Sequence, residues 1–239
     1  GISVPRMAAS DLPRFWPPGM SPGGRAWAIE NIEGGAAENF TLTFDVSGDL
    51  RQPDSIVVAN VFGEMKFAGL AVHYLRPMPP VTSVTGTMRM TEAAVRFDVE
   101  SGVLDDISVG DTTIELSNLD KPTDHRADID VGATGPVASL LRLLEHPKVG
   151  LPRDLAVKPE RVSGLAATRL IVSLPLIDAL AMSDIRYAAS ATTTNVSLKG
   201  VAAGMDLTDA ALTLQLGGSE MDVRGRGRLA GHVSDIQWR

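Results

Sequence analysis

The chain of 239 residues contains no cysteine, which excludes disulfide frameworks, thiolate nucleophiles and thiolate metal sites. A cysteine-free chain suits oxidising and reducing compartments alike, so this absence does not place the protein. Aromatic residues make up only 5%, and the apolar interior has to be built from aliphatic and small side chains. Basic residues are outnumbered, with 22 Lys and Arg against 29 Asp and Glu and a net charge of −7. That balance argues against a nucleic-acid partner, because phosphate binding needs clustered Lys and Arg. No apolar stretch approaches the roughly 20 residues of a membrane-spanning helix. The richest, residues 165–182, is broken by Arg169, Pro175 and Asp178. No basic stretch followed by an apolar run marks a signal peptide. The chain starts Gly1-Ile2-Ser3 and ends in mid-pattern at Gln237-Trp238-Arg239, which gives the expectation of an internal segment of a longer protein.

Enzyme signatures are also missing. There is no P-loop, no G-x-S-x-G elbow and no H-E-x-x-H. His73, His125, His146 and His232 are scattered without ligand spacing, and surface or structural roles are expected for them. Asp105-Asp106 and the pair Asp128 and Asp130 have the chemistry of a hard-cation site. Asp105-Asp106 also reads as a turn, and Asp128 with Asp130 as the wet side of an alternating strand. Asn39-Phe40-Thr41 and Asn195-Val196-Ser197 match the glycosylation pattern but fall in strand-like runs and carry no weight. No catalytic, cofactor or metal-binding residue is therefore expected.

What is present is a folded composition, 44% hydrophobic and 21% charged, written largely in period-two alternation. Phe40, Leu42, Phe44 and Val46 alternate with Thr41, Thr43 and Asp45; Val95, Phe97 and Val99 with Arg96, Asp98 and Glu100. Ile129 and Val131 alternate with Asp128 and Asp130, and Leu212, Leu214 and Leu216 with Thr213 and Gln215. Similar runs occupy 84–90, 113–119, 169–174, 185–191, 194–198 and 221–229, punctuated by Gly, Asp and Asn. Short strands recurring every 10–15 residues or so predict an antiparallel meander with one wet and one apolar face.

Three helices are predicted to interrupt the strands. Ser21-Pro22 opens one over 25–32, stopped by Gly34-Gly35. Pro136 opens a second, where Val137, Leu140, Leu141 and Leu144 recur at helical spacing up to His146-Pro147. Pro175 opens a short third over 176–182. Residues 1–20, with four prolines, read as an aperiodic lead-in. Residues 147–159 read as a connector between a first β lobe, 21–148, and a second, 149–239, that continues the same sheet.

Two features invite a functional reading. Arg224, Arg226 and Arg228 share one face of a strand, with Gly225 and Gly227 on the other. They either touch anionic head groups or pair with acidic neighbours across the strands, and the inward glycines leave room for a bend or a close-lying ligand. The apolar face, with Leu42, Phe44, Val95, Phe97, Val99, Leu212, Leu214 and Leu216, either closes as a core or lines an open groove. Alternation alone leaves both open.

Several passages resemble a known family. They are Trp16-Pro17, Ala26-Trp27 and Ile32-Glu33-Gly34-Gly35; then Gly135-Pro136-Val137-Ala138-Ser139-Leu140-Leu141, His146-Pro147 and Val162-Ser163-Gly164. Leu174-Pro175-Leu176, Ile185-Arg186-Tyr187-Ala188-Ala189, Ala203-Gly204-Met205-Asp206-Leu207 and Gly225-Arg226-Gly227 follow. Their order and spacing, from about Trp16 to the end, resemble the central region of long AsmA-like envelope proteins of the YhdP and TamB type, in an alphaproteobacterial style. The resemblance implies a long curled antiparallel trough in the periplasm, held at the inner membrane by an N-terminal anchor that is expected to lie outside this segment. It also implies passage of phospholipid acyl chains between inner and outer membranes without catalysis, possible envelope-protein partners, and no cofactor. The family has no catalytic residues to carry over, so the eight apolar residues above are groove candidates from alternation, and the three arginines are candidate head-group contacts.

Overall fold

The computed structural model describes residues 1–238 except 17, 19, 20, 50, 53, 54, 147–156, 178, 203, 218 and 219. Most of the predicted connector therefore lies outside the described residues, as do Pro17, Asp178, Ala203 and Arg239. The alternating runs become strands of a single antiparallel sheet. In chain order these are β1 (Ile2–Ala8), β2 (Ile32–Glu33), β3 (Ala36–Ser47), β4 (Val57–Val72), β5 (Val81–Thr91), β6 (Ala94–Leu104) and β7 (Ile107–Ser117). They continue with β8 (Arg126–Pro136), β9 (Val162–Pro175), β10 (Arg186–Ala202), β11 (Met205–Gly217), β12 (Glu220–Leu229) and β13 (His232–Trp238). The helices are α1 (Leu12–Phe15), α2 (Pro22–Asn31) and α3 (Val137–Leu144).

From β3 onward every strand pairs with the next in sequence, β1 adds to the outer side of β3, and β2 pairs with the end of β4. The sheet does not close, because β1 and β13 do not meet. β8 and β9 flank the predicted connector, yet they pair from Arg126↔Pro175 to Pro136↔Leu165 without a register shift. The meander thus runs unbroken past residue 150.

Several polar residues adopt left-handed backbone within the strands. Asn39, Ser83, Asp111, Asn195 and Asp209 all have positive φ and sit at or beside register shifts inside β3, β5, β7, β10 and β11. Asn and Asp tolerate the left-handed region better than other side-chain-bearing residues, and a bulge bends its strand and increases local twist. Repeated from strand to strand, the bulges curl the sheet into an open trough. Two runs that the sequence separates, 186–191 and 194–198, are one strand, β10, continuous through Thr192 and Thr193.

Two other expectations are corrected. The lead-in contains a strand, β1, in which Pro5 is tolerated because the strand lies at the sheet edge. The third predicted helix does not form: Pro175 ends β9, and a single 3-10 turn at Met182–Asp184 precedes β10. A helix of so few residues has no stability of its own without a packed face.

Burial is concentrated at one end of the trough. The chain passes through α1 and α2 between β1 and β3, and through α3 after β8, always at that end. Ala9, Phe67, Leu70, Val84 and Met88 form one buried cluster there, and Val196, Leu207 and Ala210 a second, against which Val137 of α3 packs. Elsewhere, among the described residues, the sheet is a single layer. The accessible surface is 14820 Å², against about 10,300 Å² expected of a compact monomer of this mass. The excess is the signature of a sheet with both faces reaching solvent.

Candidate functional site

Register determines which side chains share a face, since directly paired residues of antiparallel strands point the same way. One row runs Met65–Met88–Phe97–Ile114–Ile129–Val172–Tyr187 across seven consecutive strands, β4 to β10. A second runs Val131–Leu170–Ala189–Leu216–Met221, and a third Ala191–Leu214–Val223–Trp238. These rows form one apolar face that passes from the first half of the chain into the second.

The residues singled out from alternation all belong to it. Val95, Phe97 and Val99 pack at the margin of the first buried cluster. Leu42 pairs with Gly63, which pairs in turn with Met90, and Phe44 lies two residues further along β3. Leu212 packs on the second cluster, and Leu214 and Leu216 lie beyond it. All eight are half-buried. Trp238 and Leu170 on the same face remain 50% and 40% exposed. Sequence reasoning missed Met65, Met88, Ile114, Val172 and Val223, although the same alternation marks them.

The opposite face is charged. Glu64–Arg89–Arg96–Glu115–Asp128 form a register row interleaved between the apolar ones. Arg89 and Arg96 stand directly opposite each other, an arrangement that is destabilising by itself, and Arg96 is compensated by Asp98 at 2.9 Å and Glu115 at 3.3 Å. Arg224, Arg226 and Arg228 also lie on this face. Arg224 pairs with Asp222 at 2.6 Å, Arg226 with Asp235 at 2.7 Å and Arg228 with Asp209 at 3.7 Å. The structure therefore does not bring these three arginines to the apolar face. The inward glycines do not open a ligand space either: a Cβ at Gly225 would collide with the Ala211 carbonyl, and one at Gly227 would press on Ala210 and Leu207. Their role is close strand packing.

The hydrogen bond from Arg96 holds the Asp98 carboxyl below its ordinary range, opposed by partial burial. Because the folded carboxyl titrates below the unfolded one, its contribution is complete above the ordinary carboxylate range and is lost as pH falls through the lowered folded value. Asp98→Asn is expected to cost about 0.5 kcal/mol or less at pH 7, as for a partly exposed pair. Urea unfolding should show the gap between the two proteins closing below about pH 4; a gap of constant size down to pH 2 or so would remove the ion pair as its cause.

The acidic pairs and two of the histidines weighed from the sequence take the following places. Asp130 pairs with Arg169 at 2.7 Å, and no group of three metal-ligating side chains occurs among the described residues. His73 faces Glu33 at 3.2 Å, and the His125 ring contacts the Lys121 carbonyl at 2.8 Å. Asp105-Asp106 forms the tight turn between β6 and β7, with Asp105 at positive φ. That turn borders a cleft of about 540 Å³ beside α3, lined also by Met78, Pro79, Ile107, Ser139, Arg142, Leu143 and His146. Burial, then the Asp105 charge, pushes the nearby Tyr74 phenol above its ordinary value. The cleft escaped sequence reasoning because its residues come from three separate stretches of chain.

Fold and site together define an open, single-layered antiparallel trough with one apolar and one charged face. Comparison with protein-family models, with curated proteins and with solved structures finds no match. Among the described residues no helix is long and apolar enough to cross a membrane.

Proposed function

We propose that this chain is a segment of a periplasm-spanning lipid-transfer protein, and that its apolar face carries phospholipid acyl chains between inner and outer membranes. The observation that supports this reading is the continuous apolar face, half-exposed along its length, with no second layer over it among the described residues outside the helical end. Burying such a face against lipid is favourable at about 25 cal/mol per Å². An acyl chain of about sixteen carbons, half-buried on the trough, gains on the order of 6 kcal/mol. That corresponds to binding on the order of tens of micromolar, tight enough to hold and weak enough to release. Polar head groups stay wet at the open seam.

The resemblance to AsmA-like envelope proteins supplies the cellular setting of this proposal: a periplasmic location, an inner-membrane anchor outside this chain, envelope-protein partners and no catalysis. Binding along a trough requires neither a nucleophile nor a positioned acid–base pair. The two buried clusters at the helical end favour a second reading, a non-catalytic structural or interaction module of an envelope-assembly protein. Organic extraction of protein purified gently without detergent, followed by mass spectrometry, separates the two. Stoichiometric phospholipid absent from a matched control is expected. A folded, lipid-free protein would favour the structural module.

A further inference from the structure

The cleft beside α3 holds charges of both signs that form no direct ion pair with each other. Asp105 and Asp106 project from the β6–β7 turn on one side, and Arg142 from α3 on the other. Ser139 stands between them: its hydroxyl donates to Asp106 Oδ2 at 2.8 Å and accepts from Arg142 Nη1 at 3.4 Å. These two bonds in series keep carboxylate and guanidinium within about 6 Å of each other. Yet among the described residues none of the three takes part in an ion pair. Arginines on the charged face, by contrast, repeatedly sit against a carboxylate at 2.6–2.9 Å. Ser139 is itself buried, so the spacer is held by packing and does not swing aside.

Opposite charges held apart across a cleft have unused bonding capacity. Asp105 keeps both carboxylate oxygens, Asp106 keeps one, and the Arg142 fork keeps four of its five donors. A ligand that presents an ammonium group to the carboxylates and a phosphate to the guanidinium satisfies both sides at once. A simple anion would meet the two carboxylates, and a simple cation the guanidinium. Apart from His146 the remaining wall is apolar, with Met78 and Ile107 buried and Pro79 and Leu143 beside them, which suits the carbon skeleton attached to such a head. We propose that this cleft is a binding site for a zwitterionic phosphoethanolamine group. The site rests on its own charges and does not depend on the trough carrying acyl chains.

Calorimetric titration of the whole chain with glycerophosphoethanolamine tests it. Saturable one-to-one binding is expected, with glycerol 3-phosphate and ethanolamine each binding at least about ten-fold more weakly, since each forgoes one of the two charge-assisted contacts. Arg142→Gln and Asp105→Asn, both at exposed positions, should weaken binding by a similar factor with an unchanged circular dichroism spectrum. Ser139→Ala keeps every charge but lets Arg142 close on Asp106, and it too should lose binding. Leu214→Asp, on the apolar face, should leave it unaffected, which separates failure of this site from failure of the trough. Short-chain phosphatidylethanolamine below its micellar concentration distinguishes the source of the head group: tighter binding assigns the cleft to a lipid, equal binding to a soluble phosphoethanolamine. No saturable binding, equal binding of glycerol 3-phosphate, or binding unchanged in all three cleft variants would overturn the proposal.

Discussion

Leu214→Asp is expected to abolish most phospholipid recovery while leaving the protein folded and at normal abundance. Leu214 sits in the third apolar row, between Ala191 and Val223. It is half-buried and outside both buried clusters, so its carboxylate reaches water in the empty trough at little cost. An acyl chain lying across it would have to desolvate that charge, which costs several kcal/mol. This exceeds half of the roughly 6 kcal/mol gained by a half-buried chain. A loss of bound lipid by ten-fold or more follows. Phe97→Asp is the informative contrast. Phe97 packs on the cluster around Met88, so a charge there removes core packing as well as lipid surface, and abundance should fall too. Measuring extracted lipid beside thermal unfolding separates the two. Normal lipid recovery at normal abundance in both variants would remove these positions from the groove.

Phe67→Ala should produce the largest loss of stability of any single truncation. Phe67 is 5% exposed and is the only aromatic among the buried residues of the first cluster. It also lies against Gly86, where its ring fills the space a side chain would need. Aromatic-to-alanine changes in a packed core cost about 3–5 kcal/mol. For a chain of this length that lowers the unfolding midpoint by roughly 10 °C. The effect is amplified here because a one-layer sheet has little other core to share the load. Helices α1 and α2 rest on the same end, so amide exchange in β4 and β5 should accelerate with them. A shift of only a degree or two would mean that sheet hydrogen bonding, and not the helical end, holds the molecule together.

Strand content was legible in the chain because period-two alternation is a local property of the backbone. Residues 95–99 and 212–216 show it plainly, and both became strands with the apolar set on one face. The α2 and α3 starts were legible for an equally local reason, Ser21-Pro22 ahead of one and Pro136 with helical spacing behind it for the other. Pro175 misled because the same residue can end a strand as well as open a helix. Asp111 misled because aspartate marks turns on average, while here its tolerance of positive φ serves a bulge inside β7. Among the site residues, the acidic partners of Arg226 and Arg228 come from neighbouring strands, β13 and β11, and only Asp222 was close enough in the chain to be read beside Arg224.

By itself, then, the sequence determined an antiparallel meander of amphipathic strands, acidic, cysteine-free and without a catalytic motif, because these follow from composition and from contacts between near neighbours in the chain. Only the tertiary structure decided that the strands align their apolar rows into one continuous face and that the sheet stays open. It also decided that burial gathers at the helical end and that Asp105, Asp106, Ser139 and Arg142 meet in one cleft. Those outcomes depend on register, on bulges summed over many strands and on what packs against a face, and none of these is encoded within the reach of a single strand.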